Sequence, residues 1–237
     1  MDLAAIVPLP ATVDSPVASL AQMRAAAFAT VAGEVALVRV VRALLGPVPE
    51  SGIVVVADES LVGESRSCLD AAGLTMMVAV IASGGPGSRG QCLLTAVEHL
   101  GGQRHPASHV LIHDHRHPLA PIEVTERVIA GLQDGHPIVV PVLPMTDTVK
   151  VVDDRGAVAG TLDRTALRTV QYPRGYQSSV LAQLVTGDTD EFTAALRKSH
   201  QEGTRIATVD GDADASAAEL PTDAPLLDAI SATHHPG

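Results

Sequence analysis

Between positions 109 and 118 the chain reads His-Val-Leu-Ile-His-Asp-His-Arg-His-Pro. An apolar run stops abruptly in a cluster of titratable groups, as a buried strand does where it reaches the edge of its sheet. In an open α/β sheet, ligands bind outside the carboxyl ends of the strands. His113, His115 and His117 alternate, so an extended backbone puts them on one face. With Asp114 they make a candidate transition-metal set, although ligands from one short strand need a further group from elsewhere to enclose an ion. The competing reading is plain: solvated loop histidines, and an Asp114 that caps a turn or ends a strand.

The elements that must position this cluster follow from the hydropathy pattern. Residues 3–8 predict a short buried strand, residues 25–28 and 35–45 carry helical spacing, and residues 52–57 predict a second strand. Residues 61–72 predict a helix stopped by Gly73, residues 76–81 a third strand, and residues 91–100 a helix stopped by Gly101 and Gly102. A fourth strand at 110–112, a helix at 122–132 and a fifth strand at 138–142 continue the alternation. Strands alternating with helices imply right-handed crossovers and a mainly parallel sheet.

After Pro144 the rhythm changes. Two β-prone runs, 148–152 and 157–161, flank Asp153-Asp-Arg-Gly156 and predict a hairpin that projects from the sheet. Helices at 178–184 and 192–200, a strand at 205–209 and a helix at 226–230 complete the pattern. The acidic, small-residue segment 210–218 reads as a mobile loop, and residues 231–237 as a frayed tail.

Composition narrows the partners. The 237 residues suit a single domain spanning 1–237, and a formal charge of −11 opposes nucleic acid and anionic membranes. Lysine occurs only at Lys150 and Lys198, so any phosphate site must rely on arginine, backbone N–H groups or a metal. Cys68 and Cys92 fall in predicted helices and read as free thiols of a cytoplasmic protein.

Three anchors in order carry a family resemblance: His113-Asp114 with Pro118, for H-D-A-A-R-P; Asp147-Thr148-Val149-Lys150, for D-T-x-K; and Thr161-Leu162-Asp163-Arg164, for T-x-D-R. Pro173 with Tyr176, Thr189-Asp190-Glu191 and the glycines before Arg89 echo three weaker motifs. Over nearly its whole length the chain resembles the 2-C-methyl-D-erythritol 4-phosphate cytidylyltransferases of isoprenoid-precursor synthesis. These join CTP and the sugar-alcohol phosphate into CDP-methylerythritol and release pyrophosphate. The resemblance implies a Rossmann-like, GT-A-like nucleotidyltransferase fold, a three-layer α/β sandwich whose β-hairpin arm, at about 144–172, mediates a homodimer. It also implies Mg²⁺ if the chain is active. Asp114 takes the catalytic and Mg²⁺-adjacent position, Arg24 and Arg89 join it as nucleotide contacts, and Thr148, Arg164 and His117 bind the substrate.

The departures fall on the phosphate contacts. No glycine stands between Met1 and Val31, and the segment that should cradle the triphosphate runs from Pro8 to Pro16. Proline has no N–H to offer, and a side chain at each glycine position blocks close approach. Ala26 and Ala217 stand where the family has phosphate-binding lysines, Cys92 replaces a serine, and His117 replaces an arginine. Each lost charge-assisted contact costs about 1.5–3 kcal/mol. Metal or compensating cations would then be needed, with Arg89, Arg116, Arg164 and a protonated His117 as candidates. The expectation is weak or lost cytidylyl transfer. The alternative is a non-catalytic dimeric homologue that acts as a binding or regulatory module without a metal cofactor.

Overall fold

The computed structural model describes residues 1–11, 20–84, 87–185 and 190–234. Strand β1 (Leu3–Leu9) is buried along its length because both faces of the sheet are covered. Its side chains alternate between two cores. Leu3, Ala5, Val7 and Leu9 join one cluster, while Ala4 and Ile6 join the other. Helix α1 (Leu20–Ala27) begins earlier than its apolar spacing suggested. The unanticipated β2 (Thr30–Val31) and β3 (Glu34–Val35) form a small hairpin before α2 (Ala36–Leu44).

Strand β4 (Ile53–Ala57), helix α3 (Glu59–Ala71), strand β5 (Val78–Ala82), helix α4 (Arg89–Gly101) and strand β6 (His109–Ile112) follow the predicted alternation. Helix α5 (Ile122–Gln133) leads to β7 (Ile138–Pro144). The predicted hairpin is β8 (Lys150–Val152) with β9 (Val158–Thr161); among the described residues these pair only with each other, as a sheet separate from the main one. Then come β10 (Arg168–Val170), β11 (Arg174–Gln177), α6 (Ser178–Leu184), α7 (Glu191–Glu202), β12 (Ile206–Asp210) and α8 (Ala224–His234).

Among the described residues the central sheet runs β10-β7-β11-β6-β1-β4-β5, with β12 also on β7. The β6-β1-β4-β5 half is parallel, as is β12 on β7, whereas β10 and β11 are antiparallel. Helices α2, α3 and α5 cover one face, and α4, α6 and α7 the other, giving three layers. Two expectations need correction. Residues 231–234 continue α8 rather than fraying, while 235–237 lie outside the described residues. The 210–218 segment is tied down: Asp212 N–H donates to Gln171 Oε1 at 2.9 Å, Gln171 Nε2 donates to the Asp212 carbonyl at 2.6 Å, and Ala218 N–H donates to the Arg116 carbonyl at 2.8 Å. Both cysteines are free, Cys68 half-buried and Cys92 buried.

Candidate functional site

Strand β6 lies between β1 and β11, and the His113 N–H still reaches the Ile6 carbonyl at 3.0 Å. One residue later the chain turns. The Arg116 N–H donates to Asp114 Oδ1 at 3.0 Å and the His117 N–H to the Asp114 carbonyl at 3.0 Å, so Asp114 organises the turn that ends the strand. Other groups converge on it from distant segments. Arg89 opens α4, Glu191 opens α7, Tyr172 precedes a cis-proline, and Arg174 starts β11 in register with Ile112.

Asp114 is enclosed by guanidinium groups. Arg116 donates from Nε to Oδ1 at 3.0 Å and from Nη2 to Oδ2 at 2.9 Å, and Arg89 Nη1 donates to Oδ2 at 3.1 Å. Arg89 also donates from Nε to Glu191 Oε2 at 3.0 Å, and from Nη2 to Glu191 Oε1 at 3.1 Å and to Tyr172 Oη at 2.8 Å. Arg174 donates from Nη1 to Glu191 Oε1 at 3.3 Å. Its guanidinium carbon lies 4.0 Å from the ring centre of Tyr172 and 4.6 Å from that of Phe192, within cation–π range of both. Arginine sustains this burial because its planar fork donates to carboxylates while its faces stack on rings.

The charges settle accordingly. Burial alone would raise both carboxyls, but Arg116 and Arg89 hold Asp114 well below the usual range, and Arg89 with Arg174 brings Glu191 to about 2. Burial works the other way on the imidazoles, lowering His113 to about 3, His115 to about 4, and His117 as well. The result is an ionised network of carboxylates and guanidiniums with neutral histidines around it.

A family model for 2-C-methyl-D-erythritol 4-phosphate cytidylyltransferase matches residues 18–231. The chain belongs to this family. It is 32% identical to the enzyme of that name from Streptomyces avermitilis over 202 residues, 83% of this chain and 80% of that one. It is also 32% identical to the Rhodococcus opacus enzyme over 213 residues, 89% of this chain and 88% of that one. In fold, the chain is similar to a crystal structure of 4-diphosphocytidyl-2C-methyl-D-erythritol synthase, with a TM-score of 0.76 and 20% identity over 98% of this chain and 100% of that one. The cytidylyltransferase of Thermus thermophilus gives a TM-score of 0.71 with 22% identity over 98% and 99% of the two chains.

The cytidylyltransferase anchors divide in space. Asp114, Arg89, Arg116 and His117 come together at the sheet edge. Arg24 does not join them. It pairs instead with Glu64 at 2.6 Å on the surface. Arg164 donates to the Thr146 carbonyl, and Lys150 Nζ donates to Thr161 Oγ1 at 2.7 Å, so the two arm motifs clasp each other. Thr148 and Arg164 lie in the arm, and among the described residues neither is hydrogen-bonded to the Asp114 network. His117 is not a solvated loop histidine. It is buried against Tyr172, with Nδ1 2.8 Å from the Ala215 carbonyl, and its lowered pKa opposes a role as a protonated phosphate contact.

A metal ion enclosed by protein groups alone does not fit these residues. Both Asp114 oxygens accept from arginine, His113 Nδ1 accepts from the Asp114 N–H at 2.8 Å, and among the described residues no group of His, Cys, Asp or Glu is arranged to hold an ion. Of the segment expected to cradle phosphates, residues 12–16 lie outside the described residues, as do 85–86 and Thr189 of the weaker motifs. In the described part, Pro10 has no N–H, and the Ala11 N–H is closed onto the Gly87 carbonyl at 2.7 Å. Sequence reasoning did not identify Tyr172, Arg174 or Glu191 as site members. The Asp190-Glu191 motif was the only signal for the last of these.

Proposed function

We propose that this chain carries its family's reaction, the joining of CTP and 2-C-methyl-D-erythritol 4-phosphate with release of pyrophosphate, in a form that is weak or lost. One observation supports this most: Asp114, Arg89 and Glu191 satisfy one another. In-line phosphoryl chemistry depends on positioned cations and N–H donors that meet the charge developing on the leaving pyrophosphate. Here Arg89 and Arg174 are neutralised by buried carboxylates, Ala26 and Ala217 offer no cation, and the Ala11 N–H has an internal acceptor. The test is pyrophosphate release from CTP, the sugar-alcohol phosphate and Mg²⁺, run beside the Streptomyces avermitilis relative. At about 1.5–3 kcal/mol for each missing contact, turnover is expected to fall by at least about a hundredfold. Turnover equal to the relative's would overturn the reading.

The partner in this reading is a second copy of the chain in a reducing cytoplasm, joined through the 144–172 arm. Val152 and Val158 are 58% and 65% exposed on the hairpin, with Val151 and Leu162 beside them, an apolar strip that a neighbouring chain would cover. Light scattering is expected to give a dimer mass. The same strip favours the second reading, a non-catalytic dimeric binding or regulatory module. Calorimetry with CTP distinguishes that case by binding without pyrophosphate release.

A further inference from the structure

We infer that Arg116 is a built-in cation that takes the place of a divalent metal ion at Asp114, so that this edge of the sheet excludes Mg²⁺ and Mn²⁺ while that arginine is present. The inference does not depend on whether CTP is turned over. The Arg116 N–H on Asp114 Oδ1 fixes the backbone, and the side chain then folds back so that Nε and Nη2 each take one oxygen of the same carboxylate. Arg89 Nη1 adds a donor to Oδ2. A carboxylate has about four lone-pair positions, and four donors converge on this one.

A hard divalent ion needs several oxygen ligands. The buried carboxylate nearest in the network, Glu191, has both oxygens engaged by Arg89 and Arg174. His115 faces Asp114 with Nδ1 3.6 Å from Oδ1, a nitrogen donor where a hard ion prefers oxygen. Exposure is also ordered: the Arg116 side chain is 42% exposed and that of Asp114 only 3%, so a cation arriving from solvent meets the guanidinium before the carboxylate. Arg116, with three of the four donors, thus fills most of the positions a metal would need on the carboxylate. A carboxylate at position 116 should reverse the preference.

The experiment titrates Mn²⁺ into the full chain without nucleotide and follows the paramagnetic resonance signal of the free ion. The wild-type chain is expected to deplete that signal no more than Asp114→Asn does. Arg116→Asp, which sets a second carboxylate beside Asp114, is expected to bind Mn²⁺ at least about tenfold more tightly than wild type. Circular dichroism checks that each variant is folded. Wild-type Mn²⁺ binding abolished by Asp114→Asn would overturn the inference, as would a folded Arg116→Asp with no gain in affinity. If Arg116→Asp fails to fold, the milder Arg116→Ala decides by the same criterion, gain supporting and no gain refuting. No outcome of the pyrophosphate assay alters these results.

Discussion

Arg89 Nε stands 3.0 Å from Glu191 Oε2, joining two residues 102 positions apart in the chain, and Glu191 is wholly buried. The pair fastens the start of α4 to the start of α7 across the sheet edge. Removing one partner of a buried ion pair costs about 3–5 kcal/mol because the other charge is left uncompensated. Glu191→Gln keeps the shape and removes the charge, and is expected to lower stability by that amount in urea unfolding at an unchanged m value. A loss below about 1 kcal/mol would place the pair among screened surface contacts.

Acid should weaken the fold early. Glu191 has a folded pKa of about 2, below its ordinary value, so its contribution is present above about 4.5 and is lost as pH falls from there through about 2. The histidines act in the same direction. With folded values of about 4 for His115 and about 3 for His113, the unfolded chain takes up their protons first, and stability declines as pH falls below about 6.5. His115 alone accounts for about 3 kcal/mol by pH 4. His115→Phe is therefore expected to flatten the stability profile between pH 6.5 and 4. Identical profiles for variant and wild type would refute the assignment.

Gly175 is required where β11 passes beneath α5. A Cβ there would lie 2.7 Å from Val128 Cγ1 and 2.8 Å from Leu132 Cδ1. Gly175→Ala should cost about 1–3 kcal/mol by overpacking, read from thermal unfolding. Gly160→Ala, in the arm, meets open space and is expected to change stability by less than about 0.5 kcal/mol.

The arm supplies a test of assembly that leaves the body intact. Val152→Asp with Val158→Asp introduces charge on the exposed strip without touching either core. The double variant is expected to shift from dimer to monomer in light scattering while its melting temperature at low concentration matches that of the wild-type monomer. A dimer that survives would move the interface elsewhere.

The parallel half of the sheet was legible because β1, β4 and residues 110–112 of β6 are continuous apolar runs, the pattern that burial on both faces demands. The antiparallel insertion was not. Strand β11 reads Arg-Gly-Tyr-Gln, and nothing in that tetrapeptide announces a strand between β6 and β7, since its buried Arg174 is stabilised by Glu191 and two rings contributed from elsewhere. Glu191 was hidden for a related reason. An acidic pair before an apolar helix looks like ordinary capping, and Asp190 does cap α7 by accepting from the Thr193 N–H at 3.0 Å. Asp114, Arg89 and Arg116 were visible as candidates, but the ion pairs that join Arg89 to Asp114 and Glu191 were not, because a contact between segments has no local signature.

The buried position of Cys92 has a practical consequence. Burial pushes its thiol up to about 12 and that of Cys68 up to about 11, so neither supplies appreciable thiolate at neutral pH. The native chain should therefore be nearly inert toward a disulfide reagent such as Ellman's. The rate at which colour develops then clocks the opening of the helical layers, a gauge of native-state breathing present in the chain without an added label.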